Sequence, residues 1–309
     1  GVRVYPVGAV SKGLAGVEMA EIGRMKEAGI IAISDDGQPV ANSNLFRLAM
    51  QYADHFGLFI MSHSEDKNLV GDGVMNEGFI STKLGLPDIT RAAEEVMIAR
   101  DILVAEAEGK RIHLCHVSTR GGVQLVREAK ARGVRVTAET TPHYIGATDE
   151  WVIGYDSRCR VNPPLREEAD RQACIEGLCD GTIDVIATDH APHHEDEKRC
   201  EFHLAASGIS GFETAFCISN SMLVKSGKMT LSDLIERMSV RPAELLGVAG
   251  GSLSVGCAAD VVVFDPDKEV VVDASKFLSR GKNTPFDGKR YFGEIELTLV
   301  GGKTAYQAE

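Results

Sequence analysis

The sequence lacks a long apolar run, an excess of basic residues and any paired-cysteine motif, and each absence excludes a class of protein. No apolar run approaches the roughly 20 residues that a membrane-spanning helix needs, and no signal peptide opens the chain. Lysine and arginine number 33 against 45 aspartates and glutamates, so the net charge is −12 and no basic run offers a nucleic-acid footprint. The seven cysteines are odd in number and show no CxxC spacing, which is typical of reduced thiols in the cytoplasm. We therefore expect a cytoplasmic protein that binds neither membranes nor nucleic acid.

Short apolar strands alternate with helical segments over most of the chain, and the pattern changes to all-β from about residue 250. Strands are predicted at residues 2–10, 29–33, 58–61, 111–116, 134–139 and 183–186. This alternation predicts an α/β barrel with parallel strands over residues 1–249, followed by a small β-domain over residues 250–309.

The chain opens at Gly1 inside what reads as a buried strand, without an initiator methionine. A (β/α)8 barrel of the TIM type has eight strands and about 250 residues, whereas six strands are predicted here. We therefore expect a TIM-type barrel that lacks its first two strands, in a chain that is a fragment of a longer protein.

Four of the predicted strands end in a residue type that binds metal ions. These residues are Asp36, His63, His116 and Asp189. Because successive parallel strands point the same way, we expect all four side chains to converge on one rim. Carboxylate and imidazole ligands without thiolate suit zinc, or manganese as a second choice, in an open catalytic site. A single histidine at a strand end is more often structural, but four equivalent positions are hard to obtain from packing alone.

Three further residues near these ends leave alternatives open. Cys115 could be a soft metal ligand, but strand alternation points it away from His116 and favours a small packing residue. His113 shares that strand and is interpreted as structural. His143 follows Pro142 and could either line the pocket or be hydrogen-bonded within its own loop.

Several motifs together resemble the bacterial dihydroorotases of the amidohydrolase superfamily, in order along nearly the whole chain. They are SDDG at 34–37, HSED at 63–66, HVST at 116–119, VNPPLR at 161–166, ATDHAPH at 187–193, GSLSVGCAAD at 251–260 and GKNTPF at 281–286. The resemblance implies the reversible hydrolysis of the cyclic amide of dihydroorotate to N-carbamoyl-L-aspartate, in de novo pyrimidine biosynthesis. It also implies a metal-activated hydroxide as the nucleophile, because a metal ion lowers the pKa of bound water toward neutrality.

The resemblance assigns roles position by position. Asp36 matches the metal-bridging carboxylate, His63 and His116 match the ligands of the second metal, and Asp189 matches the first-metal ligand that shuttles the proton. The matched substrate contacts are Asn162, His193, Ser207 and Gly208, with Ser207 standing where many relatives have phenylalanine.

One departure from the family pattern affects the metal count. The His-x-His-x-Arg motif of the family's first strand and the substrate-binding asparagine of its second are both absent here. We therefore expect one or two zinc ions, with only the second site complete, through Asp36, His63 and His116. A barrel short of two strands exposes sheet edges, so we expect a homodimer, with aspartate transcarbamoylase as an alternative partner of the chain.

Two other functions stay open at this point. Another cyclic amidohydrolase, such as a dihydropyrimidinase or allantoinase, usually has a carboxylated lysine where Asp36 stands. A catalytically silent subunit that scaffolds aspartate transcarbamoylase would have no reason to keep the four ligand residues together. A dihydroorotase acting on a small-molecule substrate therefore remains the leading hypothesis.

Overall fold

A six-stranded parallel sheet forms the centre of the molecule in a computed structural model, which describes residues 2–308. Its strands are β1 (Val7–Gly8), β2 (Ala32–Ile33), β3 (Ile60–Ser62), β6 (Ile112–Leu114), β7 (Val136–Thr140) and β8 (Val185–Ile186). They neighbour one another in that same order, and each pair is parallel. All six strands predicted from the sequence are therefore confirmed, although each is shorter than its apolar run.

The register of the sheet aligns apolar side chains across neighbouring strands. Ile33 pairs with Ile60, Ile60 with Ile112, and Ile112 with Val136, and all four side chains are buried. Burial of such residues stabilises the sheet by roughly 1.5–3 kcal/mol each. Because this layer fixes the strands at a common height, the residues that follow them meet at one rim.

Helices cover the outer face of the sheet. The α-helices of the described residues are α1 (Ile22–Glu27), α2 (Ser43–Asp54), α3 (Lys67–Val70), α4 (Phe79–Leu84), α5 (Ala92–Glu108), α6 (Arg120–Ala131), α7 (Pro142–Gly146), α8 (Glu168–Asp180), α9 (Glu195–Lys198), α10 (Ala215–Ser219), α11 (Leu231–Ile235) and α12 (Arg241–Leu246). The longer helices bury apolar side chains such as Met50, Ile98, Val126 and Leu178 in the same core as the sheet. No helix among residues 2–308 combines the length and the apolar character needed to cross a membrane.

Some elements escaped sequence-based prediction. A small parallel pair, β4 (Met75–Asn76) and β5 (Asp88–Ile89), lies within the long excursion after β3. Two-residue strands are too short to show a period, so no sequence pattern predicts them. Helix α10 continues as a π-helix over Asn220–Val224, which was likewise not predicted.

The segment from 261 to 307 forms a separate antiparallel sheet. Strand β10 (Arg290–Val300) lies between β9 (Val261–Val271) and β11 (Lys303–Gln307). Phe286 and Tyr291 belong to a second apolar cluster, together with Tyr144 of α7 and Ile218 of α10. The segment before β10 therefore packs against elements that follow the central strands. The domain boundary between residues 249 and 250 stays a prediction.

A buried ion pair connects helix α5 with the segment that precedes α8. The guanidinium of Arg166 lies 3.2 Å from the carboxylate of Glu94 and also donates to Ser118 and Asn76. Arg166 and Glu94 are only 4% and 3% exposed, so removal of one partner leaves an uncompensated buried charge.

We expect Arg166→Met to lower the free energy of unfolding by about 3–5 kcal/mol, because Glu94 would then be buried without its cation. Arg127→Met is the matched control, since Arg127 forms an exposed pair with Asp180 and such pairs contribute about 0–1 kcal/mol. Chemical denaturation of both variants measures the difference. Equal losses in the two variants would contradict a stabilising role for the buried pair.

Candidate metal centre

Three of the four predicted metal ligands come together at the ends of neighbouring strands. Asp36 follows β2, His63 follows β3 and His116 follows β6, and these strands are adjacent in the sheet. Asp36 Oδ1 lies 3.0 Å from His63 Nδ1 and 3.5 Å from His116 Nε2, and the two ring nitrogens are 3.0 Å apart. One carboxylate oxygen and two imidazole nitrogens therefore face a common point.

These distances fit the ligand shell of a divalent metal ion. Ligand atoms about 2.0 Å from a tetrahedral zinc ion lie about 3.3 Å from one another. The separations of 3.0 and 3.5 Å at Asp36, His63 and His116 bracket that value. The donor set, with oxygen and imidazole nitrogen and no thiolate, is one that zinc and other first-row metals accept.

Asp36 reaches this point because its neighbour Asp35 anchors the backbone. The buried carboxylate of Asp35 accepts hydrogen bonds from the backbone N–H groups of Val10 and Ser11, at 2.7 and 3.1 Å, and from the Ser11 hydroxyl. These contacts fix the end of β2 against the loop after β1. Asp36 is then the residue presented at the rim, with its side chain 53% exposed.

Helix α5 holds both histidine-bearing loops from below. Its buried Asp101 accepts hydrogen bonds from Ser62 and Ser64, at 2.6 and 3.1 Å, on either side of His63. Its buried Glu94 accepts from the backbone N–H of Ser118, at 2.8 Å, in the turn after His116. One rigid helix therefore positions both imidazoles relative to each other.

The Glu65 carboxylate supports His63 from the side away from Asp36. Glu65 Oε2 lies 3.5 Å from His63 Nε2 and 2.5 Å from Lys67 Nζ. Burial raises the pKa of Glu65, but His63 and Lys67 outweigh it and bring that pKa to about 2. An ionised carboxylate behind a histidine is the usual arrangement around metal-binding imidazoles. No role was assigned to Glu65 from the sequence, although it lies within the HSED motif.

The charges of Asp36 and His116 stabilise each other. Burial raises the pKa of Asp36, but hydrogen bonds and charge from His116 and His63 outweigh it and hold that pKa well below its ordinary value. Burial lowers the pKa of His116, but Asp36 outweighs it and raises that pKa to about 9. A metal ion at this point would therefore have to displace a proton from His116.

Two site residues adopt left-handed backbone conformations that are rare outside glycine. His116 has φ +39° and Asp189 has φ +43°. Each such residue costs about 1–3 kcal/mol and persists only where the surrounding structure enforces it. Both lie directly after a central strand, which is where strain of this kind accompanies function.

Within residues 2–308, Asp189 does not join the three-ligand group. It follows β8, which is separated from β6 by β7, whereas the other three residues follow adjacent strands. Asp189 nevertheless lies near enough to interact electrostatically with His116, Asp36 and His63. Burial raises the pKa of Asp189, and the charges of Asp36 and Glu139 raise it further. The charges of His116 and His63 lower it by less, so the pKa lies above its ordinary value.

The geometry favours structural roles for His113 and Cys115. The ring nitrogens of His113 lie 2.9 Å from Thr137 Oγ1 and 2.9 Å from Glu139 Oε2, so both are occupied. Cys115 lies within 4.8 Å of the His113 and Glu139 ligand atoms. Burial, with the charges of Glu139 and Asp36, raises the pKa of the Cys115 thiol well above its ordinary value and keeps the thiol protonated. This favours the packing role for Cys115 over the soft ligand.

His143 is buried beside the site and uncharged. Its Nε2 atom is one of the buried polar atoms without a hydrogen-bond partner within residues 2–308, and its ring packs edge-on against Tyr144. Burial, with the charge of His116, lowers the pKa of His143 to about 3.

We expect His143→Phe to make the protein less sensitive to acid. Between pH 6.5 and about 3 the unfolded chain binds a proton at His143 that the folded chain excludes, so His143 lowers the free energy of unfolding as the pH falls. The loss is about 1.4 kcal/mol per pH unit across that window. Denaturation at pH 6.5 and 4.5 measures it, with the exposed His203→Phe as control. An unchanged pH slope in His143→Phe would contradict the expected protonation difference.

Three of the predicted substrate contacts lie together on the loop after β8. The ring nitrogen His193 Nε2 is 2.9 Å from the backbone oxygen of Ser207, and a Cβ on Gly208 would lie 3.1 Å from the same ring nitrogen. Asn283 completes this group: its Oδ1 accepts from His193 N at 3.1 Å and its Nδ2 donates to Gly208 O at 2.9 Å. We call His193, Ser207, Gly208 and Asn283 the loop corner. Asn283 was missed as a site residue, although it lies in the GKNTPF motif.

Asn162 is the fourth predicted substrate contact. Within residues 2–308, no hydrogen bond links it to the loop corner. It is half-buried and joined to Pro163 by a cis peptide bond. A cavity of about 1260 Å³ opens beside the loop corner, and its lining includes His193, Asn283, five basic residues and three acidic ones.

The chain is similar to known proteins over nearly its whole length. Residues 13–305 match the amidohydrolase family. A dihydroorotase from Pelotomaculum thermopropionicum is 53% identical over 306 residues, covering 99% of this chain and 72% of the relative. One from Thermoanaerobacter sp. is 50% identical over 308 residues, and one from Geobacter sp. is 52% identical over 307 residues. These cover 100% and 99% of this chain, and 71% and 72% of the respective relatives.

Solved structures resemble the fold over nearly its full extent. The L-hydantoinase (dihydropyrimidinase) from Arthrobacter aurescens superposes with a TM-score of 0.86 at 26% identity, covering 98% of this chain and 70% of the other. The dihydropyrimidinase from Brevibacillus agri gives a TM-score of 0.80 at 22% identity, covering 92% and 65%. The predicted TIM-barrel fold of a metallo-hydrolase, with a parallel sheet and a small antiparallel sheet, is confirmed.

Proposed function

This chain belongs to the amidohydrolase family, and we propose that it acts as a dihydroorotase, which hydrolyses the cyclic amide of dihydroorotate reversibly to N-carbamoyl-L-aspartate. The observation that carries the proposal is the convergence of Asp36, His63 and His116 in a chain 50–53% identical to dihydroorotases along its whole length. The identity to the hydantoinase, at 26%, is half of that. A dihydroorotase is therefore favoured over another cyclic amidohydrolase.

The family is metal-dependent, and Asp36, His63 and His116 are the residues that would hold a divalent ion. When bound, the ion lowers the pKa of a coordinated water and polarises the amide carbonyl. We assign zinc to this position because of the mixed oxygen and nitrogen ligands. Glu65 and helix α5 keep the two imidazoles aligned, so this chain supplies a preformed shell.

Asp189 is the residue that moves the proton. Its carboxylate takes a proton from the attacking water as the C–O bond forms, and gives it to the ring nitrogen as the C–N bond breaks. Burial and the neighbouring carboxylates raise the pKa of Asp189, which brings it closer to the working pH and suits a group that must both accept and donate. The raised pKa also stabilises the protonated form of Asp189, which exists between uptake of the proton from water and its delivery to the ring nitrogen.

The loop corner holds the substrate. His193 and the backbone of Ser207 and Gly208 form a polar edge next to the cavity. The five basic residues of its lining outnumber the three acidic ones, and this excess of positive charge favours a carboxylate-bearing substrate. Asn162, on the loop after α7, is assigned as a further contact to the substrate.

Turnover of dihydroorotate by the purified chain tests the proposal. The assay monitors the loss of ring absorbance and the appearance of carbamoyl aspartate. Hydantoin and allantoin are the competing substrates. We expect dihydroorotate to have the highest kcat/KM of the three. Preference for hydantoin or allantoin would instead assign the chain to another cyclic amidohydrolase.

The assembly state is a separate proposal. We expect a homodimer, with aspartate transcarbamoylase as the alternative partner. Light scattering of the isolated chain, and of a mixture with a transcarbamoylase, distinguishes these assemblies. A monomer in both samples would contradict the proposal.

A further inference from the structure

Lys198 is a buried lysine that the reaction as proposed does not use. It ends helix α9, between His193 and Ser207 of the loop corner, and only 4% of its surface is exposed. Nζ donates hydrogen bonds to three backbone oxygens, those of Ala206 at 2.7 Å, Arg160 at 3.2 Å and Gly208 at 3.2 Å. A buried charge is costly unless it is well paired. The Lys198 ammonium is paired with backbone carbonyl groups from two segments that are distant in sequence, at Arg160 and at Ala206 to Gly208.

The three hydrogen bonds determine how the backbone of the loop corner is oriented. The carbonyls of Ala206 and Gly208 both point to Lys198, on either side of Ser207. The Ser207 carbonyl between them does not bond to Lys198 and instead lies 2.9 Å from His193 Nε2. The other ring nitrogen of His193, Nδ1, lies 3.4 Å from Glu197 Oε2. Two contacts therefore orient the His193 ring, and the one through Ser207 depends on the backbone that Lys198 holds.

Close packing restricts the conformations that the backbone from Ala206 to Gly208 can adopt. Gly208 has φ +143°, and a Cβ there would lie 2.5 Å from the backbone oxygen of Ala191. The Gly208 N–H donates to Arg160 O at 2.9 Å, and the Gly208 carbonyl is shared between Lys198 and Asn283. Lys198 is the buried charged donor to this backbone, while the Arg160 guanidinium donates to the Ser207 hydroxyl at 3.3 Å. Loss of Lys198 therefore removes the charge-assisted hydrogen bonds to the carbonyls of Ala206 and Gly208.

We propose that Lys198 is a positioning residue: its ammonium group fixes the backbone from Ala206 to Gly208 and, through the Ser207 carbonyl, sets the His193 ring for substrate binding. The inference rests on the proposed function, because His193, Ser207 and Gly208 are proposed substrate contacts. Lys198 itself need not touch the substrate.

Steady-state kinetics with dihydroorotate test this role in Lys198→Met, with the exposed Lys276→Met as the matched control. We expect Lys198→Met to raise KM by about tenfold, the value of one charge-assisted hydrogen bond, with a smaller change in kcat. Lys198→Arg, which keeps the charge, should recover part of the loss. A KM for Lys198→Met equal to that of Lys276→Met would overturn the proposal.

A double-mutant cycle with His193→Ala separates positioning from general destabilisation. If Lys198 acts through His193, the effects of Lys198→Met and His193→Ala on KM are not additive. Additive effects overturn the proposal. Should Lys198→Met fail to fold, Lys198→Gln, which keeps a donor without the charge, replaces it in the same cycle.

Hydrogen–deuterium exchange tests the same inference without turnover. We expect residues 201–210 to exchange at least about tenfold faster in Lys198→Met than in Lys276→Met, because a charged tether of that loop is lost. Equal exchange rates overturn the positioning role. A wild-type chain that does not hydrolyse dihydroorotate, yet shows this exchange difference, would instead count against the proposed function alone.

Discussion

Asp189→Asn is expected to lower kcat for dihydroorotate by about 10²–10⁴-fold, the usual contribution of a positioned general acid–base. Asparagine has the shape of aspartate but cannot accept the proton of the attacking water or pass it to the ring nitrogen. KM should change much less, because the substrate contacts are assigned to the loop corner. A small effect on KM and a large one on kcat would locate the defect in the chemical step.

The surroundings of Asp189 make asparagine a clean replacement. The next residue, His190, stacks on Phe212 with ring centroids 3.8 Å apart and accepts a hydrogen bond from Gly211 N at 3.0 Å. Ala191 N donates to Ile209 O at 2.9 Å. These backbone and ring contacts do not involve the Asp189 carboxylate, so the left-handed turn that presents it should survive the substitution.

Asp72→Asn is the matched control, since Asp72 is an exposed loop residue. We also expect the acid side of the pH–rate profile to change. Because the pKa of Asp189 lies above its ordinary value, wild-type activity falls as the pH drops through that raised pKa and the base becomes protonated. Asp189→Asn should lose this limb. Wild-type kcat in the asparagine variant would contradict the role of Asp189 as proton carrier.

Much of the framework of the site could be predicted from the sequence because it repeats a simple pattern. Each central strand is a short β-branched run followed by a polar residue, and parallel strands bring those residues to one rim. Asp36, His63 and His116 were found in this way, and they meet as expected. Asp189 was assigned to the same group, but the strand predicted at residues 134–139 separates its strand from that of His116, and Asp189 does not join the three ligands within residues 2–308.

The supporting residues could not be predicted, because their roles depend on helix packing rather than on local sequence. Glu94 and Asp101 look like ordinary charges of a helix, yet both point inward and hold the loops of His116 and His63. Lys198 likewise stands in a run of charged residues that resembles a solvated face. Only the tertiary structure shows that it is the one turned inward.

His116→Ala and His63→Ala are expected to abolish metal binding. The wild-type chain should retain about one divalent ion after dialysis, held by Asp36, His63 and His116. Each alanine variant should retain less than about a tenth of that amount, because three protein ligands are the usual minimum for a catalytic zinc ion. Activity should fall with the metal content. Elemental analysis of the dialysed proteins, alongside kinetics, makes the measurement.

His203→Ala and Glu65→Gln provide a graded comparison for these variants. His203 is exposed, and its replacement should change neither metal content nor activity. Glu65 lies behind His63, 3.5 Å from Nε2, so its replacement should weaken metal binding by about 10–100-fold without abolishing it. Two ions per wild-type chain would contradict a single three-ligand centre. Full metal retention in His116→Ala would show that the ion is bound elsewhere, and the assignment of the rim as the metal centre would then be wrong.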